Sequence, residues 1–215
     1  MNLQPSILFE ILMNAEKMSP FWNDRYATDQ YVYGTEPNQF LKSELTKLPC
    51  GKILFPAEGE GRNAVYAAKN GWEVFAFDSS KEACKKAENL AALSGVSIQY
   101  KVTNFEKINL PADFFDTIVL IFAHFHPLKR KEYHQKLISL LKPGGTILLE
   151  GFSKKQTDYN SGGPKNIELL FSKQEIKEDF SLLSELKLEE LLINLDEGPY
   201  HQGIASVIRM VGTKK

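Results

Sequence analysis

The 215-residue sequence has little cysteine, no excess of charge of either sign and no long hydrophobic run. Its two cysteines, Cys50 and Cys84, cannot supply a cluster of thiolates and are predicted to have no catalytic role. The 26 basic and 27 acidic residues lack the basic surplus of nucleic-acid binders. The apolar stretch 7–13 contains Glu10 and is too short to cross a bilayer. With no secretory pattern, we predict a cytoplasmic protein with neither a nucleic-acid nor a membrane partner.

The composition is that of an ordinary globular domain. Hydrophobic residues make up 43% and charged residues 25% of the chain, which is long enough to bury a sizeable core. No internal repeat, low-complexity run or long linker divides it. We therefore predict a single domain over residues 1–215, in which residues 1–48 form a helical lid or cap and residues 49–215 form the core.

Short apolar runs alternate with amphipathic segments from residue 52 onward. The pattern predicts strands over 52–56, 73–77, 96–102, 116–122 and 146–150, helices over 63–70 and 128–141, and a third helix ending near residue 94. Such alternation implies a parallel sheet with helices on both faces. Two final strands, 188–195 and 204–211, are too close together for a crossover helix and predict an antiparallel hairpin. The expected fold is α/β, three-layered, doubly wound and Rossmann-like.

The turn after the first strand is the first candidate site, because open α/β sheets bind ligands at the carboxyl ends of their strands. Gly59 and Gly61 allow a close backbone approach there, and Asp78 ends the second strand, where it can bind ribose hydroxyls. This fingerprint also fits a nicotinamide dinucleotide. Glu58 and Glu60 would repel the pyrophosphate of a dinucleotide but attract the ammonium and sulfonium groups of S-adenosylmethionine. Charge therefore favours S-adenosylmethionine.

Several segments together resemble a known superfamily. Residues 55–65, Asp78 and residues 141–146 resemble the motifs of class I S-adenosylmethionine-dependent methyltransferases. Segments 22–38 and 196–203 are similar to its small tellurite-resistance-like branch, so the resemblance spans roughly residues 20–212. It implies a seven-stranded, mostly parallel sheet of order 3-2-1-4-5-7-6. It also implies methyl transfer from S-adenosylmethionine to a small molecule.

The resemblance further implies a set of cofactor-binding residues at turns and strand ends. They are Glu58, Gly59, Glu60, Gly61 and Asn63 in the first turn, Asp78 and Ser79 after the second strand, Asn104 and Phe105 after the third, Phe122 and Ala123 after the fourth, and Tyr31 and Tyr33 in the lid. Asn104 stands where the family often has an aspartate for the adenine amino group. Phe55 and Ala57 depart from the acidic residue and glycine of the family. Glu58 is therefore expected to contact the methionyl ammonium through water.

His124 and His126 follow the predicted fourth strand and are the candidate catalytic residues. Three interpretations stay open: a general base, a His-x-His metal site, and a ring that caps the next helix or packs on the lid. No third ligand is spaced nearby, so we predict no metal. An extended backbone before Pro127 would place both rings on the same side. His134, on the helix that follows, is predicted to be a surface residue.

Two further loops are predicted to reach the methyl acceptor, through Tyr159 and Asn160 in one and His201 in the other. Neither of the motifs typical of nucleic-acid methyltransferases, Asp/Asn-Pro-Pro-aromatic or Pro-Cys, follows the fourth strand. We therefore predict an S-adenosylmethionine-dependent methyltransferase with a small-molecule acceptor and in-line transfer. The alternatives are a non-catalytic protein that binds S-adenosylmethionine or S-adenosylhomocysteine, and a nicotinamide-dependent oxidoreductase.

Overall fold

A computed structural model describes residues 20–215 of the protein, so the predicted lid residues 1–19 lie outside the described residues. Within residues 20–215, two helices precede the sheet: α1, whose described part covers 20–26, and α2, Gln39–Leu45. Residues 27–38 between them form turns and bends, with Gly34 at a φ of 73°. The described part of the lid is therefore helical only at its two ends, because Gly34 and Pro37 interrupt a helix.

Seven strands and four further helices follow within the described part of the chain. The strands are β1 Lys52–Pro56, β2 Glu73–Asp78, β3 Gln99–Val102, β4 Phe115–Ile121, β5 Leu141–Phe152, β6 Leu183–Asp196 and β7 Gln202–Lys214. The helices are α3 Arg62–Lys69, α4 Lys81–Leu93, α5 Pro127–Leu140 and α6 Lys173–Asp179. Two short 3₁₀ helices, Lys154–Asp158 and Ile167–Leu169, lie between β5 and α6.

All seven strands form one sheet in the order β3-β2-β1-β4-β5-β7-β6. Strands β1 to β5 run parallel, and β7 lies antiparallel between β5 and β6. This confirms the predicted α/β fold, its strand order and its C-terminal antiparallel hairpin. Because the strand order reverses between β1 and β4, a crevice opens there at the carboxyl ends of the strands. That edge positions the candidate site.

A hydrophobic core lies on each face of the sheet. Helices α5 and α6 cover one face, where Leu137 and Ile176 are buried, and α2 covers the other through Leu41. Successive residues of β4 pack alternately in the two cores: Ile118 packs in the first and Val119 in the second. A strand buried on both faces has to be apolar throughout, as the run 116–122 predicts. Within residues 20–215, no helix is both long and apolar enough to cross a bilayer.

Helix α6 was not predicted from periodicity, and it changes the surroundings of α5. It begins with a capping box in which Ser172 and Glu175 bond each other's backbone N–H groups, a local signal that would have found it. His134 of α5 is completely buried beneath α6, with its ring stacked on Phe180 at 4.6 Å and Nδ1 2.9 Å from Asp179 Oδ2. The prediction of a surface residue is wrong, because α6 covers this face of α5.

Candidate functional site

The turn between β1 and α3 contains three residues with a positive φ: Ala57 at 52°, Gly59 at 68° and Gly61 at 88°. A Cβ atom on Gly61 would lie 2.6 Å from Cβ of Ala87 on α4, so this glycine lets the two helices approach each other. A Cβ atom on Gly59 would lie 2.9 Å from the hydroxyl of Tyr26 in the lid. Gly59 is therefore the glycine of this turn that faces the crevice beneath the lid.

Glu58 caps the N-terminus of α3. Its Oε1 accepts the backbone N–H groups of Asn63 at 3.1 Å and Ala64 at 2.8 Å. Burial nevertheless raises the pKa of this carboxyl to about 8. A dinucleotide binds its pyrophosphate on helix N–H groups of this kind, and here the chain's own carboxyl occupies them. The site therefore fits a cofactor without phosphate groups better than a nicotinamide dinucleotide.

Asp78 lies at the carboxyl end of β2, buried against the same turn. Its Oδ2 accepts the N–H of Gly59 at 3.1 Å and its Oδ1 that of Ser80 at 2.9 Å. The backbone N–H of Ser79 also donates to this carboxylate, while burial raises its pKa. A carboxylate has about four acceptor positions, so one remains after these three N–H donors. The geometry is compatible with the predicted contact to ribose hydroxyls.

Two predicted cofactor residues hold the lid. Glu60, which is 4% exposed, accepts the backbone N–H of Val32 at 2.8 Å and pairs with Lys86 Nζ at 2.8 Å. Asn63 Oδ1 accepts the backbone N–H of Asn38 at 2.9 Å. The carboxylate of Glu60 is thus committed to the lid and to α4, and we call these three contacts the lid clamp.

The lid aromatic residues divide between two places. Tyr31 donates its hydroxyl to the carbonyl of Lys86 at 3.0 Å and so packs on α4. The ring of Tyr33 lies 4.5 Å from the ring of His201. Tyr26, which the motif contained but the predicted site omitted, is buried over Gly59 with its ring 6.4 Å from that of Tyr33. Of the two predicted tyrosines, Tyr33 therefore lines the crevice.

Two of the predicted residues after β3 and β4 have their side chains in the core. The ring of Phe105 stacks on Tyr133 at 4.8 Å, and Ala123 is buried in the same cluster. Asn104 Oδ1 accepts the N–H of Lys107 at 3.0 Å and so closes its own turn. The backbone carbonyls of Asn104 and Phe105 also accept hydrogen bonds, from Ile108 N–H and from Lys136 Nζ, so the predicted adenine contacts stay predictions.

His124 and His126 do not share a side. His124 Nδ1 lies 2.8 Å from the carbonyl of Leu169, and its Nε2 accepts the N–H of Phe152 at 3.2 Å. Burial lowers the pKa of His124 to about 4. His126 is the N-cap of α5. These contacts favour the structural interpretation over a general base, and no three His, Cys, Asp or Glu residues of the described chain form a metal-binding group.

An aromatic pocket lies at the carboxyl ends of β4 and β5. The ring of His201 lies 4.6 Å from that of Phe122 and 5.2 Å from that of Phe152, with Tyr33 on a third side. Phe122 has a φ of 52°, and this left-handed conformation changes the direction of the backbone after β4. We call Tyr33, Phe122, Phe152 and His201 the aromatic pocket; Phe152 and His201 are buried behind it, and the partly exposed rings of Tyr33 and Phe122 form its surface.

The ring of His201 is oriented from behind by charged groups. Its Nδ1 lies 3.3 Å from Glu197 Oε2, which also binds Arg62 Nη2 at 2.8 Å. Burial by itself would raise the pKa of Glu197, but His201 and Arg62 together lower it to about 2. No hydrogen-bond partner for His201 Nε2 is found among residues 20–215. The histidine thus presents one nitrogen to the pocket.

A second buried carboxylate extends this arrangement. Asn38 Nδ2 donates to Glu150 at 2.6 Å and to Glu197 at 3.0 Å, and Arg209 pairs with Glu150. The sequence prediction missed this network, although Arg62 and Glu197 lie inside the quoted motifs. Their partners come from distant segments, and no local pattern could indicate them.

The loop after β5 reaches the aromatic pocket through its glycines. A Cβ atom on Gly162 would lie 2.6 Å from Cδ2 of His201, and one on Gly163 would lie 2.7 Å from Cδ2 of Phe152. Tyr159 is half-buried and Asn160 is exposed, and no contact of either with the pocket is found within residues 20–215. The predicted substrate contacts of Tyr159 and Asn160 stay predictions.

Comparison with known proteins agrees with this geometry. Residues 53–145 match the family model described as a methyltransferase domain. Together with the strand order, this defines the class: residues 53–145 are a methyltransferase domain, the sheet has the class I S-adenosylmethionine-dependent methyltransferase fold, and S-adenosylmethionine is the cofactor of that class. The resemblance predicted from the motifs is confirmed.

Particular relatives are more distant. A thiopurine S-methyltransferase of Vibrio cholerae is 27% identical over 68% of this chain and 75% of its own length. An uncharacterized protein of Mycobacterium bovis is 31% identical over 46% of this chain, which spans only 36% of that protein. The solved structure of TehB from Haemophilus influenzae has a TM-score of 0.69 at 17% identity and covers 92% of this chain and 67% of that one. This last similarity shows the fold.

Proposed function

We propose that the protein transfers a methyl group from S-adenosylmethionine to a small molecule held in the aromatic pocket. The observation that carries the proposal is the position of His201, which lies beside Phe122 at the end of β4 with Nδ1 held by Glu197. The cofactor would lie between Asp78, the Gly59 turn and the lid. Glu58 favours a ligand without phosphate groups there, since its carboxyl already caps α3.

His201 is proposed to act as the general base. Glu197 accepts a hydrogen bond from Nδ1, so the lone pair of Nε2 faces the pocket. Burial lowers the pKa of His201, which keeps the ring neutral near pH 7 and able to take the proton of the acceptor at Nε2. When bound, S-adenosylmethionine supplies the methyl carbon, which bonds to the acceptor atom as its bond to the sulfonium breaks and the electron pair stays on the departing sulfur.

We further propose a sulfur atom as the acceptor. The name of the Vibrio cholerae relative states that it methylates sulfur. The aromatic pocket supports the same choice, because thioether and thiol sulfur make favourable contacts with aromatic rings. A thiol also requires the proton acceptor that His201 provides.

The test begins with calorimetry of the full chain against S-adenosylhomocysteine and NAD. We expect S-adenosylhomocysteine to bind and NAD not to bind. Release of S-adenosylhomocysteine is then measured with a panel of thiols, amines and phenols at pH 7.5. Binding of NAD alone would favour an oxidoreductase, and binding of S-adenosylhomocysteine without turnover of any acceptor would favour a non-catalytic binding protein.

Substitution of His201 tests its role as base. His201→Gln should reduce turnover by roughly 10²–10⁴-fold while the affinity for S-adenosylhomocysteine changes little. In the wild type, kcat/KM should have an acid limb that lies below the usual histidine range, because burial lowers the pKa of His201 and its protonation removes the base. This acid limb should be absent from the variant. Normal turnover of His201→Gln, or an unchanged acid limb, would contradict the proposed role.

A further inference from the structure

Arg25 of α1 lies at the mouth of the aromatic pocket. Its guanidinium carbon lies 4.2 Å from the ring centre of Tyr200 and 5.2 Å from that of Phe21. Its side chain also donates a hydrogen bond to Tyr33, which is part of the pocket. Phe21 is 50% and Tyr200 49% exposed, so these rings form an open rim around the arginine.

Arg25 differs from the other arginines in its pairing. The sequence has four arginines, and three of them pair with buried carboxylates: Arg62 with Glu197, Arg130 with Asp179 and Arg209 with Glu150. No carboxylate within residues 20–215 forms an ion pair with Arg25. The guanidinium is therefore held in place by aromatic rings and a phenol without neutralisation by these residues.

The charge around the pocket points to the sign of its ligand. Glu197 neutralises Arg62, Glu150 neutralises Arg209 and Lys86 neutralises Glu60 beside Tyr33, which leaves the charge of Arg25 without an ion-pair partner within residues 20–215. Aromatic rings alone would also attract a cation, but a guanidinium at the mouth repels one. An anion is the ligand that this arrangement favours.

The geometry of a guanidinium indicates which kind of anion it binds best. Its face stacks on an aromatic ring, whereas its N–H donors lie in its plane and match the two oxygens of a carboxylate. The partly exposed rings of Tyr33 and Phe122 offer flat apolar surfaces to the rest of the ligand. We propose that the methyl acceptor is an aromatic molecule that carries a carboxylate, and that Arg25 binds this carboxylate. The proposal rests on the proposed function, since it names the acceptor class of that same site.

Binding without turnover is the first test. Benzoate and benzamide have the same shape but differ in charge, and their affinities for the full chain saturated with S-adenosylhomocysteine are measured by calorimetry or ligand-observed NMR. We expect benzoate to bind at least tenfold more tightly. Arg25→Gln should abolish this preference, and Arg25→Lys should keep only part of it because a lysine lacks the planar fork. Lys81→Gln, which removes an exposed cation of α4, should retain it.

Turnover is the second test. 4-Mercaptobenzoate should have a KM at least tenfold below that of 4-mercaptobenzamide, and Arg25→Gln should remove the difference. Equal affinities of benzoate and benzamide for the wild type would overturn the inference. So would a loss of S-adenosylhomocysteine affinity in Arg25→Gln with benzoate preference intact, since Arg25 would then serve the cofactor carboxylate. Tighter binding of benzoate than of benzamide, without methylation of any thiol, would refute the proposed function. It would still support the binding of an acidic ligand by Arg25.

Discussion

His124 holds one tautomer because backbone groups bind both ring nitrogens. Nδ1 carries the hydrogen that the carbonyl of Leu169 accepts, and Nε2 accepts the N–H of Phe152. The ring also stacks on Phe171 at 4.6 Å. At the residue scale, His124 joins the end of β4 to the loop after β5, while the ring nitrogen without a hydrogen-bond partner beside Phe122 is Nε2 of His201.

His124→Phe should keep the stacking but lose both hydrogen bonds. Each buried backbone group left without a partner costs about 1–3 kcal/mol, so denaturation at pH 7 should show a clear loss of stability. Activity should fall only in proportion to this loss of stability. Full stability combined with a 10²-fold or larger loss of turnover would restore the general-base interpretation of His124.

The same variant should change the pH dependence of stability. The pKa of His124 is lowered from 6.5 to about 4, so below pH 6.5 the unfolded chain binds a proton that the folded chain does not. The wild type should therefore lose stability as the pH falls through 6.5 toward 4, by roughly 3 kcal/mol from this group. Denaturation of His124→Phe across that range should show a shallower decline.

Asp78→Asn tests the ribose contact. Asparagine keeps one acceptor oxygen for the turn but loses the charge, so the affinity for S-adenosylhomocysteine should fall by about 1.5–3 kcal/mol, or roughly ten- to a hundredfold. Glu73→Gln, at the exposed start of the same strand, is the matched control and should bind normally. An unchanged affinity of a folded Asp78→Asn protein would remove Asp78 from the cofactor site.

At the scale of elements, the packing of α3 on α4 sets the shape of the β1–α3 turn. Gly61 is the N-cap of α3 and contacts Ala87 of α4, while Glu58 satisfies two N–H groups at the start of α3. The helix dipole and its free N–H groups are therefore used within the protein. The turn itself places Gly59 at the crevice, where its N–H binds Asp78 of β2.

Gly61→Ala should be strongly destabilising. A φ of 88° disfavours alanine by about 1–2 kcal/mol, and the new Cβ would lie 2.6 Å from Ala87, which adds about 1–3 kcal/mol of overpacking. Gly95→Ala is the control, because Gly95 has a φ of 68° but nothing within 4 Å of a new Cβ. Chemical denaturation should show a much lower free energy of unfolding for Gly61→Ala than for Gly95→Ala. Equal losses of stability in the two variants would contradict the packing argument.

For the whole molecule, the lid clamp joins the segment before the sheet to α3 and α4. The contacts of Glu60 with Val32 and Lys86, and of Asn63 with Asn38, connect parts of the chain that are 25 or more residues apart. Tyr26 adds a buried ring over Gly59. The lid therefore covers this turn from the side of the crevice.

Hydrogen exchange tests whether the lid responds to cofactor. Amides of residues 20–38 should exchange more slowly when S-adenosylhomocysteine is bound, because a closed lid excludes water from the reacting centre. The buried strand β4 serves as the internal reference and should not change. Equal exchange of the lid with and without ligand would make it a fixed cap.

The sequence by itself determined the architecture. Alternating apolar runs and turn residues are local properties, so the strands, most helices and the final hairpin were predicted, although β5 and β6 each begin five residues before the predicted strand. The β3 strand begins at Gln99 instead of 96, and β6 and β7 extend beyond their apolar centres because each supplies the other's hydrogen bonds. The positions of Gly59 and Asp78 at the crevice follow from the same pattern.

Only the tertiary structure decided which side chains meet. Arg62 and Glu197 are 135 residues apart, yet their ion pair orients His201. His134 carries the signature of a surface helix position and is buried because α6 packs over it. Such contacts depend on strand order and on helix packing, which no window of neighbouring residues encodes. The sequence therefore indicated the turn at which we expect a ligand, whereas packing placed His201, rather than His124, beside Phe122 and Tyr33.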